Sequence, residues 1–253
     1  MRKQIEDLRE KMREKKTDAY IIPTTDFHGS EYVNDYFKCR EFVSGFTGSA
    51  GTLVVTEDAA ALWTDGRYFL QAERELAGSE IMLMREGEPD VPEITEWLRQ
   101  RLTSGKAQTV GFDGRIVSAK FGEKIKEHFN VEAELDLAGE IWAERPELMA
   151  SEIYPLALRV TGESSESKLS RVREEMRKAG AEAHIITSLE EIAWLFNLRG
   201  GDVLHTPVFY AFALVELERA TIYLLNRAEK VKSLFNDDIE IKPYEAIFDE
   251  LKL

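Results

Sequence analysis

Three short segments gather the residue types from which a site could be built. They are Asp26-Phe27-His28-Gly29-Ser30-Glu31-Tyr32, Trp63-Thr64-Asp65-Gly66-Arg67-Tyr68-Phe69, and Trp194-Leu195-Phe196-Asn197-Leu198-Arg199-Gly200-Gly201-Asp202-Val203 followed by His205-Thr206-Pro207. Each sets aromatic rings beside a charged group near a turn. An arginine and a carboxylate on loops between strands can clamp a small charged ligand. A plainer reading stands beside this one. Asp65-Gly66 makes a turn, Arg67 forms an internal ion pair, and the tryptophans are core. On composition alone the plainer reading is the better one for each segment.

Other chemistries lack their residues. The four histidines, His28, His128, His184 and His205, have no second histidine three to five residues away, and neither His-Glu-x-x-His nor Cys-x-x-Cys occurs. A metal site inside the chain is not expected from these spacings, which leave open one built from dispersed carboxylates. His184 falls in an apolar run and reads as a core histidine, whereas His128 falls on a charged helix face and reads as solvated. The glycines of Gly45-Phe46-Thr47-Gly48-Ser49-Ala50-Gly51 lack the Gly-Lys-Ser/Thr ending of a P-loop, the Gly-x-Gly start of a dinucleotide fingerprint and the nucleophile pattern Gly-x-Ser-x-Gly. A tight turn between strands is the reading preferred. Cys39 stands between Lys38 and Arg40, which would favour a thiolate if the groups met in space. No partner histidine can be assigned, so a structural or surface thiol is the default.

The elements that must hold these segments show a repeat. Residues 8–24 and 172–188 align without a gap, matching Arg9, Glu10, Met12, Arg13, Ala19, Ile21 and Ile22 to Arg173, Glu174, Met176, Arg177, Ala183, Ile185 and Ile186. Each copy reads as an amphipathic helix, with Ile5, Leu8 and Met12 or Leu169, Val172 and Met176 on one face, followed by a short strand. Gly180 ends the second helix. Downstream, 42–55 and 195–215 each give a glycine-bearing turn and a strand. The runs 60–65 and 220–225 each give a strand preceding a helix. The shared order favours duplication. A helix over 91–102, with Val91, Ile94, Trp97, Leu98 and Leu102 on one face, and a strand over 109–113 complete the first copy. Ser188-Leu189-Glu190-Glu191 reads as a capping box. Pro146, Pro155 and the polar run 161–167 mark a linker, placing the join near residue 157. The expected fold is α/β: two tandem related domains, 1–157 and 158–253, each a mixed β-sheet flanked by helices.

The 253 residues suit one large domain or two ordinary ones. A formal charge of −14 has the wrong sign for a nucleic-acid footprint and reads as a solvated acidic surface. No apolar run approaches the ~20 residues of a membrane span, and the N-terminus carries no apolar signal core. The single cysteine excludes an internal disulfide and fits a reducing cytoplasm.

Two long stretches carry a family resemblance. Phe42-Val43-Ser44-Gly45-Phe46 with Gly48-Ser49-Ala50-Gly51-Thr52, then Trp63-Thr64-Asp65-Gly66-Arg67-Tyr68-Phe69-Leu70-Gln71-Ala72, resembles the N-terminal domain of Xaa-Pro aminopeptidases (aminopeptidase P) in the creatinase/prolidase group. Ser188 onward, with Glu191-Ile192-Ala193-Trp194-Leu195-Phe196-Asn197-Leu198-Arg199-Gly200 and Asp202, resembles the second domain of the three-domain members. The resemblance implies a homodimeric, cytoplasmic metallopeptidase that removes an N-terminal residue from peptides with proline second. It places the chemistry in a C-terminal "pita-bread" domain holding two metal ions, usually manganese, on two Asp, one His and two Glu. None of those motifs occurs in this chain, so the resemblance implies a fragment. It would hold a complete first domain and a nearly complete second one, inactive alone, with its own catalytic domain as partner. Carried over residue by residue, it makes Glu31 and Arg67, with His28 and Trp63, candidates for the wall of a substrate cleft. It matches Asn197, Arg199, Asp202 and His205 to the second-domain motif, where a bracing role is at least as well supported. Two other readings stay open: a stand-alone peptide-binding or assembly module, and a fragment of a creatinase-like amidinohydrolase.

Overall fold

A computed structural model describes residues 2–103, 107–148, 150–225, 231–236 and 238–251. The chain divides into two compact units, Met1–Phe27 with Asp35–Glu147, and His28–Asn34 with Leu148–Leu253. The division at Glu147 lies upstream of the join expected near residue 157. The short segment His28–Asn34 also belongs to the second unit, an assignment no linker composition announces.

The first unit follows the order α1 (Lys3–Lys15), β1 (Ala19–Pro23), α2 (Cys39–Ser44), β2 (Thr52–Thr56), β3 (Ala60–Thr64), α3 (Phe69–Glu75), β4 (Ile81–Arg85), α4 (Ile94–Arg101), β5 (Thr109–Gly111), α5 (Ala119–Lys126), β6 (Asn130–Glu132) and α6 (Leu137–Glu140). Its six-stranded sheet runs β4-β3-β2-β1-β5-β6. The pairs β1–β2 and β2–β3 are antiparallel, while β3–β4, β1–β5 and β5–β6 are parallel, so the sheet is mixed. Side chains alternate across a strand, and both faces are apolar. Tyr20, Ile22, Leu53, Val55 and Leu62 pack with Ile5, Leu8, Met12, Val43 and Leu137. Ala19, Ile21, Val54, Ala61 and Trp63 pack with Trp97, Leu98, Val110 and Ile125. Helices therefore cover both faces. The helix expected over 91–102 begins only at Ile94. Pro92 holds Val91 away from helical angles and fixes the late start. The strand expected to reach Asp113 ends at Gly111, and Asp113 continues only as an isolated bridge to Glu134.

The second unit follows β7 (Tyr154–Pro155), α7 (Leu158–Thr161), α8 (Ser165–Ala179), β8 (Ala183–Ile186), α9 (Leu189–Leu195), β9 (Leu198–Arg199), β10 (Ala211–Glu216), β11 (Ala220–Leu224), β12 (Ile239–Pro243) and α10 (Ala246–Glu250). Its main sheet runs β12-β11-β10-β8, with β8–β10 and β10–β11 antiparallel and β11–β12 parallel. Those directions repeat β1-β2-β3-β4 strand for strand. Between β11 and β12, the helix expected from the repeat lies partly on residues 226–230, outside the described set.

The duplication extends to single contacts. Arg9 Nε donates to the Thr56 carbonyl at 2.9 Å, and the aligned Arg173 Nε donates to the Glu216 carbonyl at 2.9 Å. Both carbonyls belong to the last residue of the strand that pairs antiparallel with the repeat's own strand, β2 with β1 and β10 with β8. The helix ends agree as well: Thr17 N–H reaches the Met12 carbonyl at 2.8 Å and Ala181 N–H the Met176 carbonyl at 2.9 Å. The cap is Gly180 in one copy and Lys16, at φ 57°, in the other. A left-handed lysine carries a steric cost that glycine escapes.

His184 is exposed rather than core. The apolar run containing it is real, but β8 is the last strand on its side of the sheet among the described residues, so its side chains are not covered.

Residues of the candidate site

In the first unit, Asp65 begins the turn after β3, where Tyr68 N–H returns to its carbonyl at 3.0 Å. Arg67 grips the Asp65 carboxylate twice, Nε to Oδ1 and Nη2 to Oδ2, both at 2.9 Å. The guanidinium lies over the Tyr68 ring with its side chain 68% exposed. The Arg67 hydrogen bonds hold the Asp65 carboxyl below its ordinary range. The second Asp-Gly-Arg of the chain, Asp113-Gly114-Arg115, builds the same clamp, with Nε at 2.9 Å and Nη2 at 2.8 Å from the two carboxylate oxygens. Asp-Gly-Arg is thus a local turn device in this fold. It presents a rigid guanidinium at the surface in both places. The second tripeptide was legible in sequence by simple comparison with the first.

Trp63 does not face solvent. It is 4% exposed, packs edge-to-face on Trp97 at 5.4 Å, and donates Nε1–H to the Pro92 carbonyl at 2.9 Å. Period-two alternation puts it on the same covered face as Val54 and Ala61, so within this unit it is a core residue.

His28 and Glu31 lie in the second unit. His28 Nδ1 contacts the Thr187 carbonyl and Nε2 the Tyr244 hydroxyl, each at 2.7 Å, with the ring 4.4 Å from Phe212. A carbonyl accepts only, so Nδ1 carries the proton in this arrangement. The residue is a buttress for the segment that carries Glu31. Glu31 itself is exposed.

The second-domain motif is a set of braces. Asp202 is 5% exposed and its carboxylate accepts from Ser151 N–H and from Tyr210 N–H, the latter at 2.7 Å. Asn197, at φ 54°, donates to the Glu163 carbonyl at 2.8 Å and accepts from Lys168 Nζ at 2.6 Å. Arg199 donates to the Ala193 and Leu198 carbonyls at 2.8 and 2.7 Å. His205, at φ 64°, meets Tyr32 edge-on at 5.6 Å. Lys168 was not singled out in the sequence because its helix looks solvated there. Its ammonium is buried, reaches the Trp194 carbonyl at 2.7 Å and lies 4.4 Å from the Trp194 ring. Burial pulls its pKa down.

The glycine loop is closed to anions. Arg40 turns the Phe46 and Gly48 carbonyls inward, and the Glu75 carboxylate already takes Thr47 N–H and Oγ1, both at 2.7 Å. A phosphate cradle needs those N–H groups pointing outward. Gly51 is demanded by close approach, since a Cβ there would sit 2.9 Å from the Trp63 carbonyl.

Cys39 is buried and inert. Arg40 is turned to Thr24 at 2.9 Å and Lys38 pairs with Asp35 at 2.7 Å, so neither activates the thiol. Burial pushes its pKa up to about 12, with Arg145 opposing only in part. At pH 8 the native thiolate fraction is then about one in ten thousand. Iodoacetamide should label Cys39 only once the chain is unfolded in urea. Native labelling at the rate of a small free thiol would show that the residue is accessible.

Among the described residues no three His, Cys, Asp or Glu side chains gather as a metal ion requires. A two-metal set therefore does not fit these described residues. No helix of the described residues is long and apolar enough to cross a membrane.

Comparison with known proteins agrees with the duplicated fold. A family profile described as Creatinase/Prolidase N-terminal domain matches residues 4–146, and a second of the same description matches 144–253. The chain is 44% identical over 241 residues to Aminopeptidase P2 of Arabidopsis thaliana, covering 91% of this chain and 34% of that protein. It is 38% identical over 268 residues to Xaa-Pro aminopeptidase 1 of Dictyostelium discoideum, covering 99% and 42% respectively. It also superposes on the crystal structure of X-prolyl aminopeptidase from Caenorhabditis elegans, described as a cytosolic enzyme with a di-nuclear active site. That match has a TM-score of 0.90 and 29% identity over 98% of this chain and 43% of that one. The chain thus spans less than half the length of these relatives.

Proposed function

Because this chain belongs to the creatinase/prolidase N-terminal domain family in two successive copies, we propose that it is the N-terminal, non-catalytic part of a dinuclear-metal Xaa-Pro aminopeptidase. The parent enzyme releases the N-terminal residue from peptides with proline second. The observation that carries this reading is similarity to aminopeptidases P along nearly the whole chain, with more than half of each relative lying beyond the matched part. In this reading the metal ions, manganese or a similar divalent pair, reside in the parent's own C-terminal catalytic domain. There they would supply the activation of water for hydrolysis. The parent is proposed to be a cytoplasmic homodimer, as the family resemblance implies. The first two domains contribute to dimerisation and border the substrate cleft.

Arg67 is the best-supported residue for a cleft role. Its guanidinium is exposed, yet held by Asp65 and by the Tyr68 ring, so little freedom is lost when it meets a peptide carbonyl or carboxylate. Glu31 is the second residue, exposed on a segment that His28 anchors.

The test uses the full reading frame beside this chain. With manganese and an Xaa-Pro peptide, this chain alone should give no turnover, and the full protein should cleave in a metal-dependent way. In the full protein, Arg67→Ala should lower kcat/KM about tenfold, the loss of one charged hydrogen bond of about 1.4 kcal/mol, with bound metal unchanged. Metal-dependent cleavage by this chain alone would overturn the reading. A natural frame without a catalytic segment would instead favour the binding or assembly module.

A further inference from the structure

An exposed ion pair by itself fixes little, because water and salt compete for both partners. The Arg67 side chain is 68% exposed and that of Asp65 37%. The carboxylate grips one edge of the guanidinium. A face of the planar group is covered by the Tyr68 ring, whose centroid lies 5.1 Å from the central carbon. The second Asp-Gly-Arg turn is built the same way. Arg115, gripped at its edge by Asp113, lies 4.8 Å over the ring of Phe27, which comes from a distant part of the sequence. An edge clamp and an aromatic face thus occur together twice in the first unit.

Tyr68 is itself seated, and the glycine loop seats it. The residue joins the turn to α3: its N–H returns to the Asp65 carbonyl at 3.0 Å, and its carbonyl accepts from Ala72 N–H at 2.8 Å. Its hydroxyl and Ser49 Oγ are 2.6 Å apart. The ring stands edge-on to Phe46, with centroids 6.1 Å apart. Phe46 is fully buried, and the Arg40 guanidinium lies over it at 4.7 Å. Gly48 makes room for the phenol, since a Cβ there would lie 2.8 Å from Tyr68 Cδ1 and would run into the Phe46 ring. Arg40 draws the Phe46 and Gly48 carbonyls inward, while Glu75 and Gln71 tie Thr47 to α3. Contacts therefore run unbroken from buried Arg40 through Phe46 and Tyr68 to Arg67 at the surface.

We infer that Tyr68 is the positioning residue of Arg67, and that the glycine loop, closed to anions, serves to hold the Tyr68 ring in place. Asp65 fixes the edge of the guanidinium, the phenol fixes its plane, and Ser49 fixes the phenol. A guanidinium held in this way loses less freedom on meeting a peptide carbonyl or carboxylate. This role rests on the cleft position proposed for Arg67.

Two readouts test it separately. In this chain the NMR resonance of Arg67 Nε–H reports position directly, because a group over an aromatic face is shifted upfield and a held N–H exchanges slowly with water. Tyr68→Leu should remove the upfield displacement and speed the exchange. Tyr68→Phe keeps the ring and should preserve most of both. Gly48→Ala, which crowds the ring without changing it, should displace the Arg67 resonance as well. The Arg115 resonance, over Phe27, should stay in place in every variant and so reports that the unit is folded. In the full protein, Tyr68→Leu should lower kcat/KM about fivefold, the upper range for a cation over an exposed ring. The loss should fall on whichever of kcat or KM Arg67→Ala moves. Tyr68→Phe should stay within about twofold of the unaltered enzyme. In the Arg67→Ala background, Tyr68→Leu should cost nothing further. An Arg67 resonance unmoved by Tyr68→Leu or by Gly48→Ala would overturn the positioning role. So would losses that multiply in the double variant, or a Tyr68→Phe enzyme as impaired as Tyr68→Leu. A loosened Arg67 whose removal leaves cleavage unchanged sinks only the cleft role. An Arg67 that stays held without Tyr68, yet whose removal costs activity, sinks only the positioning role.

Discussion

Arg9→Ala should destabilise the first unit by about 3 kcal/mol, the range for removing one partner of a buried ion pair. Arg9 is 6% exposed. Besides the Thr56 carbonyl it meets Glu80 through Nη1 at 2.9 Å, and the Glu80 side chain is only 22% exposed. Alanine would leave a carboxylate largely cut off from water with no countercharge, and a strand-end carbonyl without its donor. The duplicated position is an internal control. Arg173 makes the same bond to a strand-end carbonyl, but among the described residues it has no ion pair, and its Nη2 is buried without a hydrogen-bond partner there. Arg173→Ala should therefore cost only about 1 kcal/mol, the worth of one hydrogen bond. Urea unfolding followed by tryptophan fluorescence separates the units, because Trp63, Trp97 and Trp142 belong to the first and Trp194 to the second. Equal costs for the two substitutions would show that the carbonyl contact, and not the pair with Glu80, is what stabilises the first unit.

Asp202→Asn should weaken the second unit by about 2–3 kcal/mol, close to the effect of Asp202→Ala, although it keeps the shape. Both carboxylate oxygens accept backbone N–H groups, from Ser151 on one side and Tyr210 on the other. An amide offers one acceptor only. Whichever way it turns, its NH2 group faces a buried N–H. The bonds join residue 151 to the loop leading into β10, so their loss should loosen that loop before the sheet. The Trp194 signal should shift to lower urea while the other tryptophans report an unchanged first unit. If Asn were tolerated and Ala were not, packing rather than charge would be the role of Asp202. In the full protein the substitution should lower the amount of folded enzyme and leave the turnover of the folded fraction unchanged, which separates bracing from catalysis.

Much of this was legible along the chain. The matched Arg-Glu and Met-Arg positions predicted two helices and two following strands, and the structure supplies the physical content. Met12 and Met176 face the core, while Arg9 and Arg173 each hold the end of a neighbouring strand. The plain reading of Asp65-Gly66-Arg67 as a turn with an internal ion pair also stands. So does the plainer reading of Trp63 as core, since it is the penultimate residue of a covered strand. Less was legible wherever an element's neighbours decide its environment. His184 reads as core because its strand is apolar, but coverage depends on strand order, and β8 is at an edge. Lys168 reads as one more charge on a helix, but the carbonyl of Trp194 and the amide of Asn197 draw its ammonium inward.

The sequence by itself determined the α/β class, the duplication and the family, because each depends on residue type and spacing. Only the tertiary structure decided which candidate residues are braces and which are exposed. Asp202 and Asn197 are consumed by buried backbone groups, Trp63 by the core, and His28 by Thr187 and Tyr244, leaving Arg67 and Glu31 at the surface. The physical reason is that burial and hydrogen-bond partners come from residues distant in sequence: Asp202 meets a donor 51 residues away and His28 one 216 away. No local pattern encodes such a partner.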